Sequence, residues 1–137
     1  MASILVIDDD DDLRMIMAEA LRSAGYKVDT AGDGKAGLAL YAVGLHDLVI
    51  TDIVMPDLDG LELIDGLRQA HIRPRVIAMS GGAKLSVPLY LSTARQLGAQ
   101  RVLAKPIESQ VLLKTVKEVL AEAAPAQVVR RSAIDSA

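Results

Sequence analysis

Short apolar runs of β-forming residues alternate along this chain with stretches of helical period. The runs lie at Ile4–Ile7, Val28–Ala31, Leu48–Thr51, Val76–Met79 and Val102–Ala104, each after a turn or polar segment. Amphipathic stretches at Leu13–Ala24, Lys35–Val43, Leu61–Ala70, Pro88–Leu97 and Ser109–Glu122 follow them in turn. Such alternation is the signature of a parallel sheet with helices on both faces. The unbroken apolar strings ILVI and LVI suit strands buried on both sides.

The expected fold is therefore an α/β, doubly wound (βα)5 arrangement with a parallel five-stranded sheet, in the flavodoxin-like strand order 2-1-3-4-5. Gly25 and Gly98 stand where helices should stop, and Ser109 is placed to cap the last helix. At 137 residues the chain fits one domain, expected over residues 1–122. Periodicity fails from Ala123, so residues 123–137 read as a flexible tail.

Composition excludes several functions. With no Phe or Trp, and with Tyr26, Tyr41 and Tyr90 as the aromatics, there are no stacking platforms for single-stranded nucleic acid. A net charge of -3 and a pI near 5.3 argue against direct nucleic-acid binding, and the Arg130-Arg131 pair is too small to supply it. The absence of cysteine rules out disulfides, thiolate metal sites and a cysteine nucleophile. No apolar run approaches the ~20 residues of a membrane helix, so a cytoplasmic chain without membrane insertion is expected.

In open α/β sheets, ligands bind beyond the carboxyl ends of the strands. Here those ends read Asp8-Asp9-Asp10, Asp52, Ser80 and Lys105-Pro106. Carboxylates gathered in one crevice repel one another unless a cation sits among them. Asp8, Asp9 and Asp52 are a donor set for Mg2+, with Mn2+ as a substitute. Lys105 offers a point charge and Ser80 a hydroxyl to phosphate oxygens. A run of five aspartates is by default a solvated loop, and Asp11 and Asp12 suit a helix N-terminus for dipole reasons alone. For Asp8 and Asp9 that default weakens once Asp52, Ser80 and Lys105 occupy matching strand ends.

The constellation resembles the receiver domain of two-component response regulators, over roughly Ser3 to Glu122. ILVIDDDDDLR is similar to that family's first strand and acidic pair, DLVITDIVMPDLDGLEL to its phosphoacceptor segment, VIAMSGG to its hydroxyl position and VLAKP to its lysine position. The resemblance implies that Asp52 is the phosphoacceptor and that Asp9 binds Mg2+ directly, with Asp8 binding directly or through water. Val54 would lend its backbone carbonyl to the metal, and Ser80 and Lys105 would contact the phosphoryl group. It also implies a cis peptide bond at Lys105-Pro106, a phosphohistidine donor on a sensor histidine kinase or phosphotransfer protein, and a downstream protein target. Such a domain takes part in its own phosphorylation and dephosphorylation and is not otherwise an enzyme. His46 and His71 read as loop or helix-end residues, not as the donor histidine.

Three departures bear on signalling. Val102 stands where the family commonly has Tyr or Phe, and a valine lacks the reach and hydroxyl of that aromatic gate. Ile107 replaces a common Phe, and GGAKLSVP after Ser80 is a longer loop than usual. Ser80 is expected to draw this loop inward on phosphorylation. Val54 and Gly82 are apolar where a side chain can orient attacking water, which points to slow self-dephosphorylation. No output domain is expected after Glu122, leaving output by protein contact or relay. The alternative enzyme reading is a haloacid-dehalogenase-like phosphatase with Asp8 as nucleophile and Asp10 as acid, but residue 12 is Asp where Thr or Val is expected. A dinucleotide-binding domain would need a glycine-rich first turn instead of five acids. A non-phosphorylated interaction module on the same fold would not require all five site groups.

Overall fold

The computed structural model describes residues 2–44, 46–53, 66, 74–80 and 98–122. In chain order these form β1 (Ser3–Ile7), α1 (Asp11–Ser23), β2 (Lys27–Ala31), α2 (Gly34–Gly44), β3 (Leu48–Asp52), β4 (Arg75–Ser80), β5 (Arg101–Ala104) and α3 (Ser109–Ala121). The helix expected at Leu61–Ala70, apart from Gly66, the helix expected at Pro88–Leu97, the loop after Ser80, Val54, His71 and the tail lie outside the described residues.

Among the described residues all pairings are parallel, as the alternating pattern implies, and the strand order is the expected β2-β1-β3-β4-β5. Successive strand residues point to opposite faces, and both faces are covered. Ile4 and Val6 join Leu48, Ile50, Ile77 and Met79 under Met17 and Leu21 of α1 and Leu112, Val116 and Val119 of α3. Leu5 and Ile7 join Val49, Val76 and Ala78 on the other face with Tyr41 of α2. This two-sided burial is why β1 and β3 carry no polar alternation.

Local signals account for several element ends. Gly25 and Gly98 adopt φ of 100° and 113°, the left-handed region that glycine enters without a Cβ penalty. Asp10 caps α1, its side chain accepting from the Leu13 amide at 3.1 Å. The cap expected at Ser109 falls one residue earlier. Glu108 is the N-cap of α3 with no side-chain capping bond, and Ser109 is the first helical residue.

Candidate functional site

Strand register brings the candidate residues to one end of the sheet. Ile7 pairs with Thr51, so Asp8 emerges level with Asp52. Asp52 pairs with Met79, placing Ser80 one residue further along, and Ser80 pairs with Ala104, which precedes Lys105. The Lys105 amide donates to the Ser80 carbonyl at 2.8 Å, and the Ile53 amide donates to Met79 at 2.9 Å, so the ladder continues past the strand ends. The Lys105-Pro106 peptide bond is cis.

Asp8 is held at three points. Its amide donates to the Ala31 carbonyl at 3.1 Å, its carbonyl accepts from Arg14 Nη1 at 2.7 Å, and its Oδ1 accepts from the Asp10 amide at 2.9 Å. Oδ2 faces the Lys105 ammonium. Nζ lies 2.9 Å from both Asp8 Oδ2 and Asp52 Oδ2, but only the Asp52 contact is also an aligned hydrogen bond. Asp8 Oδ2 is fully buried and accepts no hydrogen bond of good geometry. Burial alone would lower the Lys105 pKa, yet its contacts with Asp8 and Asp52 outweigh burial and hold it above the ordinary lysine value.

Asp8 and Asp52 are buried and Asp9 is exposed, and one oxygen of each can be chosen so that all three lie within 4.8 Å of one another. This donor set fits a hard divalent cation: the ligands are all carboxylate oxygens, one of them buried without an aligned hydrogen bond, and one edge of the cluster faces solvent. Ser80 is buried beside it at the end of β4. The structure thus gathers Asp8, Asp9, Asp52 and Lys105, and register puts Ser80 next to them.

The sequence matches the response regulator receiver domain family over residues 4–117. The chain belongs to that family. Among curated relatives it is 36% identical over 119 residues to the DNA-binding transcriptional regulator NtrC of Azospirillum brasilense, covering 87% of this chain and 24% of that protein. It is 32% identical over 120 residues to the transcriptional regulatory protein CpxR of Escherichia coli K12, covering 88% of this chain and 50% of that one. The chain therefore spans half or less of these relatives. Among solved structures, the receiver domain of NtrX from Brucella abortus superposes with a TM-score of 0.80 at 30% identity, covering 88% of this chain and 99% of the other. The chemotaxis response regulator CheY4 of Vibrio cholerae gives 0.79 at 30% identity, with coverages of 87% and 98%.

Two residues of this receiver domain have surroundings that the sequence did not reveal. The Arg14 side chain is only 20% exposed, and besides pairing with Asp11 it donates to the Asp8 carbonyl. His46, read as a loop residue, is buried. No helix among the described residues is long and apolar enough to cross a membrane.

Proposed function

We propose that this receiver domain accepts a phosphoryl group on Asp52 from a phosphohistidine of a sensor histidine kinase or phosphotransfer protein, in a Mg2+-dependent reaction. The observation that carries the reading is the shared contact of Lys105 with Asp8 and Asp52, both buried, at the carboxyl ends of three strands.

An Asp52 carboxylate oxygen attacks phosphorus in line with the donor nitrogen. The P–O bond to Asp52 forms as the P–N bond breaks, and the electron pair stays on the departing imidazole. Lys105, already at the nucleophile, exchanges its contact with Asp52 for a phosphoryl oxygen and so follows the charge as it moves. Ser80 offers its hydroxyl to a second phosphoryl oxygen. Asp8 and Asp9, with Asp52 and the Val54 carbonyl, would hold the metal, and Mn2+ suits the same oxygen donors. Mg2+ there supplies charge neutralisation to the phosphoryl oxygens.

The domain takes part only in its own phosphorylation and dephosphorylation, so it acts as a switch and is not otherwise an enzyme. Output runs by contact with a downstream protein or by relay. The presence among the relatives of the sensor kinase CckA of Brucella abortus, 36% identical over 121 residues and 12% covered, supports a kinase partner. A cytoplasmic setting follows from that partner chemistry.

The test is incubation with acetyl phosphate, with and without Mg2+, followed by intact-mass measurement and peptide mapping. One phosphoryl group on Asp52, lost in Asp52→Asn and without Mg2+, is the expected result. Rapid turnover through Asp8 would mark a phosphatase instead, and Mg2+ binding without any label would mark an interaction module.

A further inference from the structure

The acidic loop after β1 is tied down on either side of Asp9, by the Asp10 amide donating to Asp8 Oδ1 and by Asp10 accepting from the Leu13 amide, but neither bond holds the peptide group between Asp8 and Asp9. Asp9 lies at its exposed crest, so the direction in which its carboxylate leaves depends on the peptide group that joins it to Asp8. That peptide group is planar, and holding its carbonyl oxygen holds the whole plane. Arg14 Nη1 donates to this oxygen at 2.7 Å, while Nη2 donates to Asp11 Oδ1 at 2.6 Å.

The guanidinium also lies close to a second loop. Gly32, just past β2, leaves room for it: a Cβ at that position would stand 3.3 Å from Arg14 Nη1, tighter than ordinary contact. Arg14 therefore has its planar fork held by Asp8 and Asp11 and lies close beside the β2–α2 loop at Gly32. An ammonium on a flexible stem could not bridge the two acceptors in the same way.

We propose that Arg14 is a positioning residue for the metal-binding carboxylates, orienting the Asp8–Asp9 peptide so that Asp8, Asp9 and Asp52 converge on one cation. This rests on the reading of those three carboxylates as a Mg2+ site. The role is separable from a general charge effect because the two have opposite signs. A guanidinium close to a cation site repels the cation, so losing the charge alone would tighten Mg2+ binding. Losing the orientation loosens it.

The experiment is calorimetric titration of the full chain with Mg2+ alone, at fixed ionic strength, for wild type, Arg14→Gln, Arg14→Lys and Gly32→Ala, with circular dichroism as the check on folding. Arg14→Gln is expected to weaken Mg2+ binding about tenfold, the size of effect usual when a group supporting metal ligands is removed. Arg14→Lys should not rescue it despite keeping the charge. Gly32→Ala should weaken binding by a smaller factor, because it crowds the guanidinium without altering any charge. Wild-type or tighter affinity in folded Arg14→Gln overturns the proposal. Should that variant not fold, wild-type affinity in both Arg14→Lys and Gly32→Ala overturns it, and weaker affinity in either supports it. A wild type that binds no Mg2+ overturns the metal-site reading itself, and the positioning role with it.

Discussion

His46 lies below the end of α2 with its side chain 1% exposed, and its Nε2 meets Asp29 Oδ2 at 2.7 Å. A carboxylate accepts, so Nε2 donates this bond, while Nδ1 is buried without a hydrogen-bond partner among the described residues. The ring fills the space under Gly44, where a Cβ would come within 2.7 Å of Cε1, and its centroid is 6.3 Å from that of Tyr41. His46→Ala should cost about 2–3 kcal/mol through the cavity it leaves. Asp29 contributes little to that loss because its carboxylate is 59% exposed and regains water. A urea titration measures the cost, and Asp52 should still be labelled by acetyl phosphate because His46 precedes β3 while Asp52 ends it. Loss of labelling in a folded variant would place His46 in the transfer chemistry. Neither the burial of His46 nor the second contact of Arg14 could be read from the chain, since each depends on a partner that pairing of distant segments brings close. Asp8, Asp52 and Lys105 could be read, because strand ends in this architecture share one edge and their residue types are unusual there.

Among the elements, α2 lies tight against β1 at Gly37. A Cβ there would lie 2.9 Å from Ile7 Cγ1 and would run into Ile7 Cδ1, and Ile7 is wholly buried. Two effects compete in Gly37→Ala. Removing a helical glycine stabilises by about 1 kcal/mol, whereas overpacking a core costs about 1–3 kcal/mol. Ile7 is packed among Leu5, Val49 and Tyr41 in the same cluster, so the clash wins. The net loss should be about 1 kcal/mol, seen as a lower urea midpoint with unchanged slope. A higher midpoint would mean that Ile7 has a second rotamer to occupy. Hydrophobic pattern made the strands legible because β1 and β3 are buried on both faces and read as continuous apolar strings. Helix ends were less legible, because capping geometry decides them. The α1 pattern begins at Leu13, but Asp10 accepts from the Leu13 amide and carries the helix back to Asp11. At α3 a serine looks like the cap, yet the turn is set one residue earlier at Glu108.

For the molecule as a whole, the two faces of the sheet differ in their response to pH. The cluster under α1 and α3 is aliphatic apart from partly buried Tyr26 at its margin, while the face under α2 encloses Tyr41 at 4% exposure. Burial first, and the charge of Asp47 second, hold the Tyr41 phenol above its ordinary pKa of 10.0. Between the unfolded and folded values the native state binds more protons than the unfolded one, so stability falls as pH rises. The contribution is whole below about pH 10 and is lost as pH climbs through the folded value. Deprotonating lysines add to the decline, because a chain of net charge -3 becomes more negative and repels itself. Tyr41→Phe separates the two. Urea midpoints followed from about pH 9 to about pH 11 should fall for both proteins, but less steeply for the variant, so that the variant gains on wild type with each step in pH. A constant difference would mean that Tyr41 ionises alike in both states. Asp47→Asn should flatten the curve by a smaller amount, since the Asp47 charge is the lesser cause and burial persists without it.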